Sequence, residues 1–151
     1  MIEYYDNLPV GVGVRPRREV HQLLVHGAGV TAGVIYRLDR STATAANDYY
    51  ATTTEAAAVG ANEDAQFVLA LESGTSGQAK KFLFRGYGDV TADGTGLGAD
   101  AAFTSDANGD ATTVADGDRI LGRATVAIAA DATGTVWFDG TPSGLISDSD
   151  T

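Results

Sequence analysis

Larger apolar residues recur at every second position in five short segments of the chain. In an extended strand this spacing places them on one face, while the intervening polar residues point to the other face. The predicted strands are residues 34–39, 67–72, 81–85, 120–129 and 135–139. In the last of them Val136 and Phe138 share the buried face, so we expect Trp137 to point outward, toward solvent or a partner.

Clusters of Gly, Asp, Asn, Thr and Ser separate these strands at short intervals, which is the composition of tight turns. One segment, residues 17–25, is ambiguous, because its apolar residues fit either a helical or an extended spacing. The whole pattern predicts a mainly β protein, a compact single-domain β-barrel or β-sandwich.

The sequence also carries an internal repeat. Residues 29–39 align with 96–106, residues 67–71 with 120–124, and residues 81–86 with 135–140. Repetition of one order of turns and strands indicates a duplicated supersecondary unit. We therefore predict a domain over residues 29–142, built from two similar β-meander halves at 29–86 and 96–140.

Three segments lie outside the repeated pattern. Residues 1–28 are predicted to form an extended N-terminal arm, or alternatively the first strand of the sheet. Residues 41–64 form an insertion in the first half, either a surface excursion that carries a strand or a partner-facing loop. Residues 143–151 are predicted to be a flexible acidic tail.

Composition and charge narrow the classes of function. The 151 residues include no cysteine, which excludes disulfides, zinc-thiolate sites and a thiol nucleophile. A net charge of −10 disfavours nucleic-acid binding, because the ten Lys and Arg form no basic stripe. Apolar runs are too short for a bilayer helix and no leader-like segment is seen, so we expect a whole, unexported gene product that contacts no membrane.

The search for catalytic groups gives little. His21 and His26 are the only histidines, and their spacing of five residues does not place them together on a helix or a strand. No Gly-x-Ser-x-Gly elbow is present, and the glycine-rich segments 74–81 and 88–101 lack the spacing of nucleotide-binding loops. We therefore expect no enzymatic activity and no cofactor.

One segment has the oxygen-rich composition of a cation site, SDANGDATTVADGD. Asp106, Asn108 and Asp110 alternate like the first ligands of a calcium loop. Ala111 stands where that loop needs glycine, and Gly117 stands where it needs a closing glutamate. We favour a hairpin turn, in which the Asn-Gly pair supplies the positive φ, and keep a weak, partner-completed metal site as the alternative.

The order of these motifs resembles that of the tailed-bacteriophage capsid decoration proteins, also called head-stabilisation or capsid cement proteins. The resemblance covers roughly residues 29–140. The places that carry it are Gly29-Val-Thr-Ala-Gly33, Leu69-Ala-Leu-Glu72 with Gly77, Asp106-Ala-Asn-Gly109, Ile120-Leu-Gly122 and Ala132-Thr-Gly134.

This resemblance implies a structural virion protein on the outer capsid surface. Its partner would be a major capsid protein of the HK97-type fold, and it would cement neighbouring capsomers, as a homotrimer. The competing class is a phage tail or fibre module or a carbohydrate-binding β-domain. In a sugar site, Tyr49, Tyr87 and Trp137 beside Asp139 would supply the exposed rings and the polar group.

Partner contacts are expected from two kinds of residue. The N-terminal arm combines aromatic rings with the densest positive charge of the chain, and rings and guanidinium groups are the usual anchors of interfaces. The insertion and the last strand add further exposed rings. The predicted contact residues are Tyr4, Tyr5, Leu8, Pro9, Arg15, Arg17, Arg18, Tyr49, Tyr50 and Trp137.

Overall fold

A computed structural model describes residues 18–25, 28–39, 52–53 and 65–141, and every regular element within them is a β-strand. The strands are β1 Glu19–Leu24, β2 Ile35–Asp39, β3 Thr52–Thr53, β4 Phe67–Ala70, β5 Ala79–Thr91, β6 Ala102–Ser105, β7 Ala111–Thr113, β8 Gly122–Ala124 and β9 Thr133–Asp139. The predicted mainly β, single-domain class is confirmed. In the described part of the chain, no helix is long and apolar enough to cross a membrane.

The strands join in an order that reads the same from both ends. The sheet runs β3-β2-β4-β5-β9-β8-β6-β7, and β1 pairs with β5 beside this path. Exchanging β2, β3, β4 and β5 with β6, β7, β8 and β9, respectively, gives the same order read from the opposite end. Two successive segments of the chain therefore fold in the same way.

The long strand β5 belongs to both segments. Its first part pairs with β1, where Leu24 lies opposite Ala79. Its second part pairs with β9, where Thr91 lies opposite Thr133. The last strand of one unit thus continues as the first strand of the next. We call residues 18–85 unit 1 and residues 86–141 unit 2.

Backbone hydrogen bonds in the loops repeat as well. Val30 and Gly74 exchange two of them, at 2.8 and 3.0 Å, and Leu97 and Ile128 exchange the corresponding two, both at 2.9 Å. Positive φ angles recur at equivalent turn positions, Gly29 and Gly33 in unit 1 and Gly96 and Asp100 in unit 2. The two units therefore share their turns and not only their strand order.

Two apolar cores lie at equivalent places in the repeat, and the one inside unit 2 also includes the unit 1 residues Val20, Ile35, Leu69 and Leu83. Equivalent positions are buried in both units: Leu23, Val25, Val30, Tyr36, Ala70 and Phe82 in unit 1, and Val90, Ala92, Leu97, Phe103, Ala124 and Val136 in unit 2. The strands curl around these cores. In unit 1 β3 lies beside β1, and in unit 2 Ala111 forms an isolated β-bridge with Ala92.

The repeating unit is longer than the sequence comparison indicated. Strand β1 is the counterpart of residues 86–91, so residues 19–24 belong to the repeat instead of lying outside it. The alignment of β4 with β8 also shifts by one residue relative to the sequence comparison, because the strand register places Val68 at the position of Gly122. Within the predicted strand 120–129 only residues 122–124 form a regular strand, β8, and residues 125–127 are exposed.

Candidate interaction surface

A row of apolar side chains on the outer face of unit 1 is buried against unit 2. Val20, Leu83, Leu69 and Ile35 lie side by side on β1, β5, β4 and β2. Each is at most 2% exposed. Leu83 and Leu69 pack directly on Gly88, where an added Cβ would lie 2.8 and 3.0 Å from their Cδ2 atoms. Glycine at this position therefore makes room for the row.

Backbone hydrogen bonds join the two units around this row. The Ile35 amide donates to the Gly109 carbonyl at 2.8 Å, and the Thr91 amide donates to the Gly33 carbonyl at 2.9 Å. These bonds satisfy polar groups that would otherwise be buried without partners. They fix unit 2 on the outer face of unit 1 in one orientation.

Arg119 also links unit 1 and unit 2. Its side chain is buried, with 3% exposure. The guanidinium donates to the carbonyls of Ala65, at 2.6 Å, Gly140, at 2.7 Å, and Thr141. Its charged carbon also lies 5.3 Å from the ring centre of Phe67. Arg119 therefore connects unit 2 to the segment that leads into β4 of unit 1.

The equivalent outer row of unit 2 is not covered in the same way. It consists of Tyr87, Trp137, Arg123 and Ala102, side by side on β5, β9, β8 and β6. Tyr87 is 47% exposed, Arg123 is exposed, and the other two are half-buried. Positions that hold buried aliphatic residues in unit 1 thus hold rings and a cation at the surface of unit 2.

Aromatic and charged groups on this row hold one another in place. The rings of Tyr87 and Trp137 meet edge to face, with centroids 5.2 Å apart. The Arg85 guanidinium lies 5.9 Å from the Trp137 ring, and its Nε lies 3.6 Å from a carboxylate oxygen of Asp139. Two packed aromatic rings beside an arginine on the surface of a sheet have the composition of an interface anchor.

A groove of about 460 Å³ opens next to the row. Tyr87, Asp89, Thr133 and Thr135 form its unit 2 wall, and Arg18 and Leu71 contribute from unit 1. The Thr135 hydroxyl donates to Asp89 Oδ1 at 2.8 Å. The groove therefore offers polar groups beside one exposed ring.

Two of the predicted contact residues fall within the described part of the chain. Trp137 points away from the core side of Val136 and Phe138, as strand alternation predicts, and Arg18 lies over Gly86. The others lie outside the described residues: Tyr4, Tyr5, Leu8, Pro9, Arg15, Arg17, Tyr49 and Tyr50. Arg123 is absent from the predicted set, because its place beside Trp137 depends on the pairing register of β8 and β9.

The acidic segment forms the predicted hairpin between β6 and β7. Asp106 Oδ1 accepts hydrogen bonds from the backbone amides of Asn108, at 2.8 Å, and Asp110, at 2.9 Å. Gly109 supplies the positive φ of the turn, 83°. Within the described ranges, no group of three or more His, Asp or Glu residues is placed to hold a metal ion.

Replacing Asp110 by asparagine should stabilise the protein at neutral pH. Burial raises the pKa of Asp110, and the negative charges of Asp106, Asp131 and Asp93 raise it further. Protonation therefore favours the folded state, so the destabilisation is absent below the ordinary pKa of 3.8 and grows as the pH rises through the raised value. Thermal unfolding should show a higher Tm for Asp110→Asn at about pH 7 and no gain at about pH 3.

Asp93→Asn is the control, for which we expect the opposite change in Tm at neutral pH. Burial raises the pKa of Asp93, but hydrogen bonds from Thr112, Thr95 and Gly96 together bring the net pKa below its ordinary value. Ionisation of Asp93 thus favours folding, and this stability is lost as the pH falls through the lowered pKa. At neutral pH the Tm of Asp93→Asn should be reduced. An unchanged or lower Tm for Asp110→Asn at that pH would contradict the electrostatic account.

Comparison with known proteins adds information about the fold. The sequence matches no protein-family model and no curated protein. Among solved structures it is similar to the head fiber gp8.5 N base of bacteriophage phi29, with a TM-score of 0.59 and 14% sequence identity. The match covers 82% of this chain and 96% of the other. At this identity the similarity shows a shared fold.

Proposed function

We propose that this chain is a structural protein of a tailed-phage virion that binds the outside of the mature head and bridges neighbouring capsomers. The observation that carries the proposal is the fold match, which spans almost the whole of a protein described as the base of a head fiber. The motif pattern of residues 29–140 supports the same class, because it resembles that of capsid decoration proteins. Because one fold can serve several functions, the proposal also needs a surface that can bind a partner.

The surface of unit 2 supports a binding role. Tyr87 and Trp137 present two packed rings on the sheet surface, flanked by Arg85 and Arg123 in a chain of net charge −10. Rigid aromatic side chains lose little conformational freedom when they are buried by a partner. We propose the major capsid protein of an HK97-type shell as that partner.

The N-terminal segment supplies a second proposed contact. Tyr4, Tyr5, Arg15 and Arg17 precede the first strand and concentrate rings and positive charge. A protein that binds only the assembled shell stabilises that state by mass action. Because many copies act on one head, each contact can be individually weak.

The test is binding to heads that were assembled without this protein. Purified protein is mixed with expanded and unexpanded heads, and the pelleted fraction is measured after sedimentation. We expect saturable, stoichiometric binding to expanded heads only, since the proposed partner is the surface of the mature head. A variant with Tyr4, Tyr5, Arg15 and Arg17 changed to alanine should lose this binding while keeping its β-sheet circular dichroism. The exposed Val126→Ala variant is the matched control and should bind normally. Absence of binding to either form would refute the proposal.

Carbohydrate binding is the second candidate function. The groove favours it, because exposed Tyr87 lies beside the polar groups of Asp89, Thr133 and Thr135. Rings stacked on sugars with hydroxyl-binding groups beside them are a common arrangement in sugar sites. Binding to a glycan array that is lost in Tyr87→Ala, together with no binding to heads, would favour this candidate over capsid attachment.

A further inference from the structure

The second part of β5 is paired along one edge and open along part of the other. Alternate residues of a strand direct their backbone groups to opposite edges. Along residues 85–91, β9 occupies one edge. The Thr91 amide points to the other edge, where it donates to the Gly33 carbonyl at 2.9 Å. Tyr87 and Asp89 alternate in step with Thr91, so their amides and carbonyls face this other edge as well.

In the described part of the chain, no strand pairs with this edge beside Tyr87 and Asp89. β4 pairs only with an earlier part of β5. The groove of about 460 Å³ opens along the gap, with Tyr87 and Asp89 on one side and Leu71 and Gly33 on the other. Backbone groups at an open strand edge readily bind a further extended segment. The groove therefore has the form of a site for a peptide strand.

The N-terminal segment joins the described part of the chain at this groove. Residues 1–17 lie outside the described residues, and Arg18, which follows them, lines the groove. Arg18 crosses over Gly86, where an added Cβ would lie 2.9 Å from its Cγ and 3.1 Å from its Cα. Glycine at this position makes room for the crossing. The preceding residues thus start within reach of the open edge.

We propose that residues 15–17 occupy the groove as a short extended strand. β1 runs antiparallel to β5. Continued in that direction past the crossing, the chain brings Arg17 beside Tyr87 and Arg15 beside Asp89. The occupant is identified by where the chain enters the groove and by the complementary charges of Arg15 and Asp89.

The sequence of the segment suits this position. Pro16 has no N–H to donate, and when Arg15 and Arg17 face β5 its nitrogen points to the outer edge, where proline is tolerated. Residues directly opposite each other share a face of the sheet. The Arg15 guanidinium then meets the exposed carboxylate of Asp89, and that of Arg17 meets the ring of Tyr87.

Occupation by its own chain would close the groove to other ligands. A sugar or a peptide that binds there would first displace residues 15–17. When Arg15 and Arg17 contact a capsid instead, they leave the groove, so attachment and an open groove occur together. The inference itself concerns the isolated protein and does not depend on attachment to a phage head.

Hydrogen exchange of the full chain, resolved by residue with NMR, tests the inference. We expect the amides of Tyr87 and Asp89 to exchange slowly, because the segment accepts hydrogen bonds from both. Arg15→Glu should speed this exchange about threefold, as expected when a cross-strand pair of opposite charges is lost. Arg123→Glu is the matched control, because it changes an exposed arginine that does not line the groove. Its exchange at both amides should equal that of the parent.

A charge exchange identifies Arg15 as the partner of Asp89. Asp89→Lys alone should speed exchange at the Tyr87 amide, and its combination with Arg15→Glu should slow that exchange again. Fast exchange of both amides in the parent protein would overturn the proposal. So would unchanged exchange in Arg15→Glu, an equal increase in Arg123→Glu, or a double variant that exchanges as fast as Asp89→Lys.

Discussion

Replacing Arg119 by alanine should lower the free energy of unfolding by about 3 kcal/mol or more. The buried guanidinium donates to carbonyls of Ala65, Gly140 and Thr141, which belong to both units. Without it the Gly140 carbonyl keeps its bond from the Phe67 amide, but the part-buried carbonyls of Ala65 and Thr141 lose a charged donor, and a group left without a partner costs about 1–3 kcal/mol. A loss of this size corresponds to a decrease in Tm of about 10 °C for a chain of this length. Urea unfolding followed by circular dichroism measures it.

Two other substitutions serve as controls for Arg119→Ala. Arg119→Lys keeps the positive charge but loses the forked geometry, so we expect an intermediate loss. Arg123→Ala removes an arginine that is exposed and donates to the Asp100 carbonyl at 3.0 Å. Its effect on unfolding should be within about 0.5 kcal/mol. Equal losses for Arg119→Ala and Arg123→Ala would contradict the role assigned to the buried guanidinium.

The second large effect is expected at Gly122, in the centre of unit 2. An added Cβ would collide with the backbone carbonyl of Trp137 and would lie 2.8 and 2.9 Å from atoms of the Phe103 ring. The carbonyl belongs to the paired strand β9, so it cannot move without breaking the ladder. We expect Gly122→Ala to cost about 3 kcal/mol, at the upper end of overpacking effects.

Gly98→Ala is the matched control for Gly122→Ala. It introduces the same methyl group at a position with open space around it. The unfolding free energy of this variant should stay within about 0.5 kcal/mol of the parent, as is usual for surface substitutions. Chemical denaturation of the two variants side by side makes the comparison. If both lose the same amount, a general cost of replacing glycine explains the result and the close packing of β8 against β9 does not.

Much of the fold could be predicted from the alternation of apolar residues. That pattern identifies the strands around Phe67, Phe82 and Val136, and the Asn-Gly pair identifies the hairpin after Asp106. The second part of β5 gives no such signal. Gly86 and Gly88 occupy two of its core-facing positions, so only Val90 places an apolar side chain on that face. These glycines are present because side chains from the rest of the molecule fill their space.

The candidate surface was predictable only in part. The outward direction of Trp137 follows from its two buried neighbours, but the row that it forms with Tyr87 and Arg123 requires the pairing register of three strands. No pattern in the neighbouring sequence indicates the role of Arg119 either. Two of its acceptors, Ala65 and Gly140, lie 54 and 21 residues away in the chain. Tertiary contacts of this kind are set by topology and leave no short sequence pattern.

Electron cryo-microscopy of heads saturated with the protein tests the central claim most directly. If the chain is a head-binding structural protein built from two similar units, the outer surface should carry added density that bridges neighbouring capsomers. Each bound chain should appear as two similar lobes that match unit 1 and unit 2. Heads that look the same with and without the protein, or added density only on their inner surface, would contradict the account.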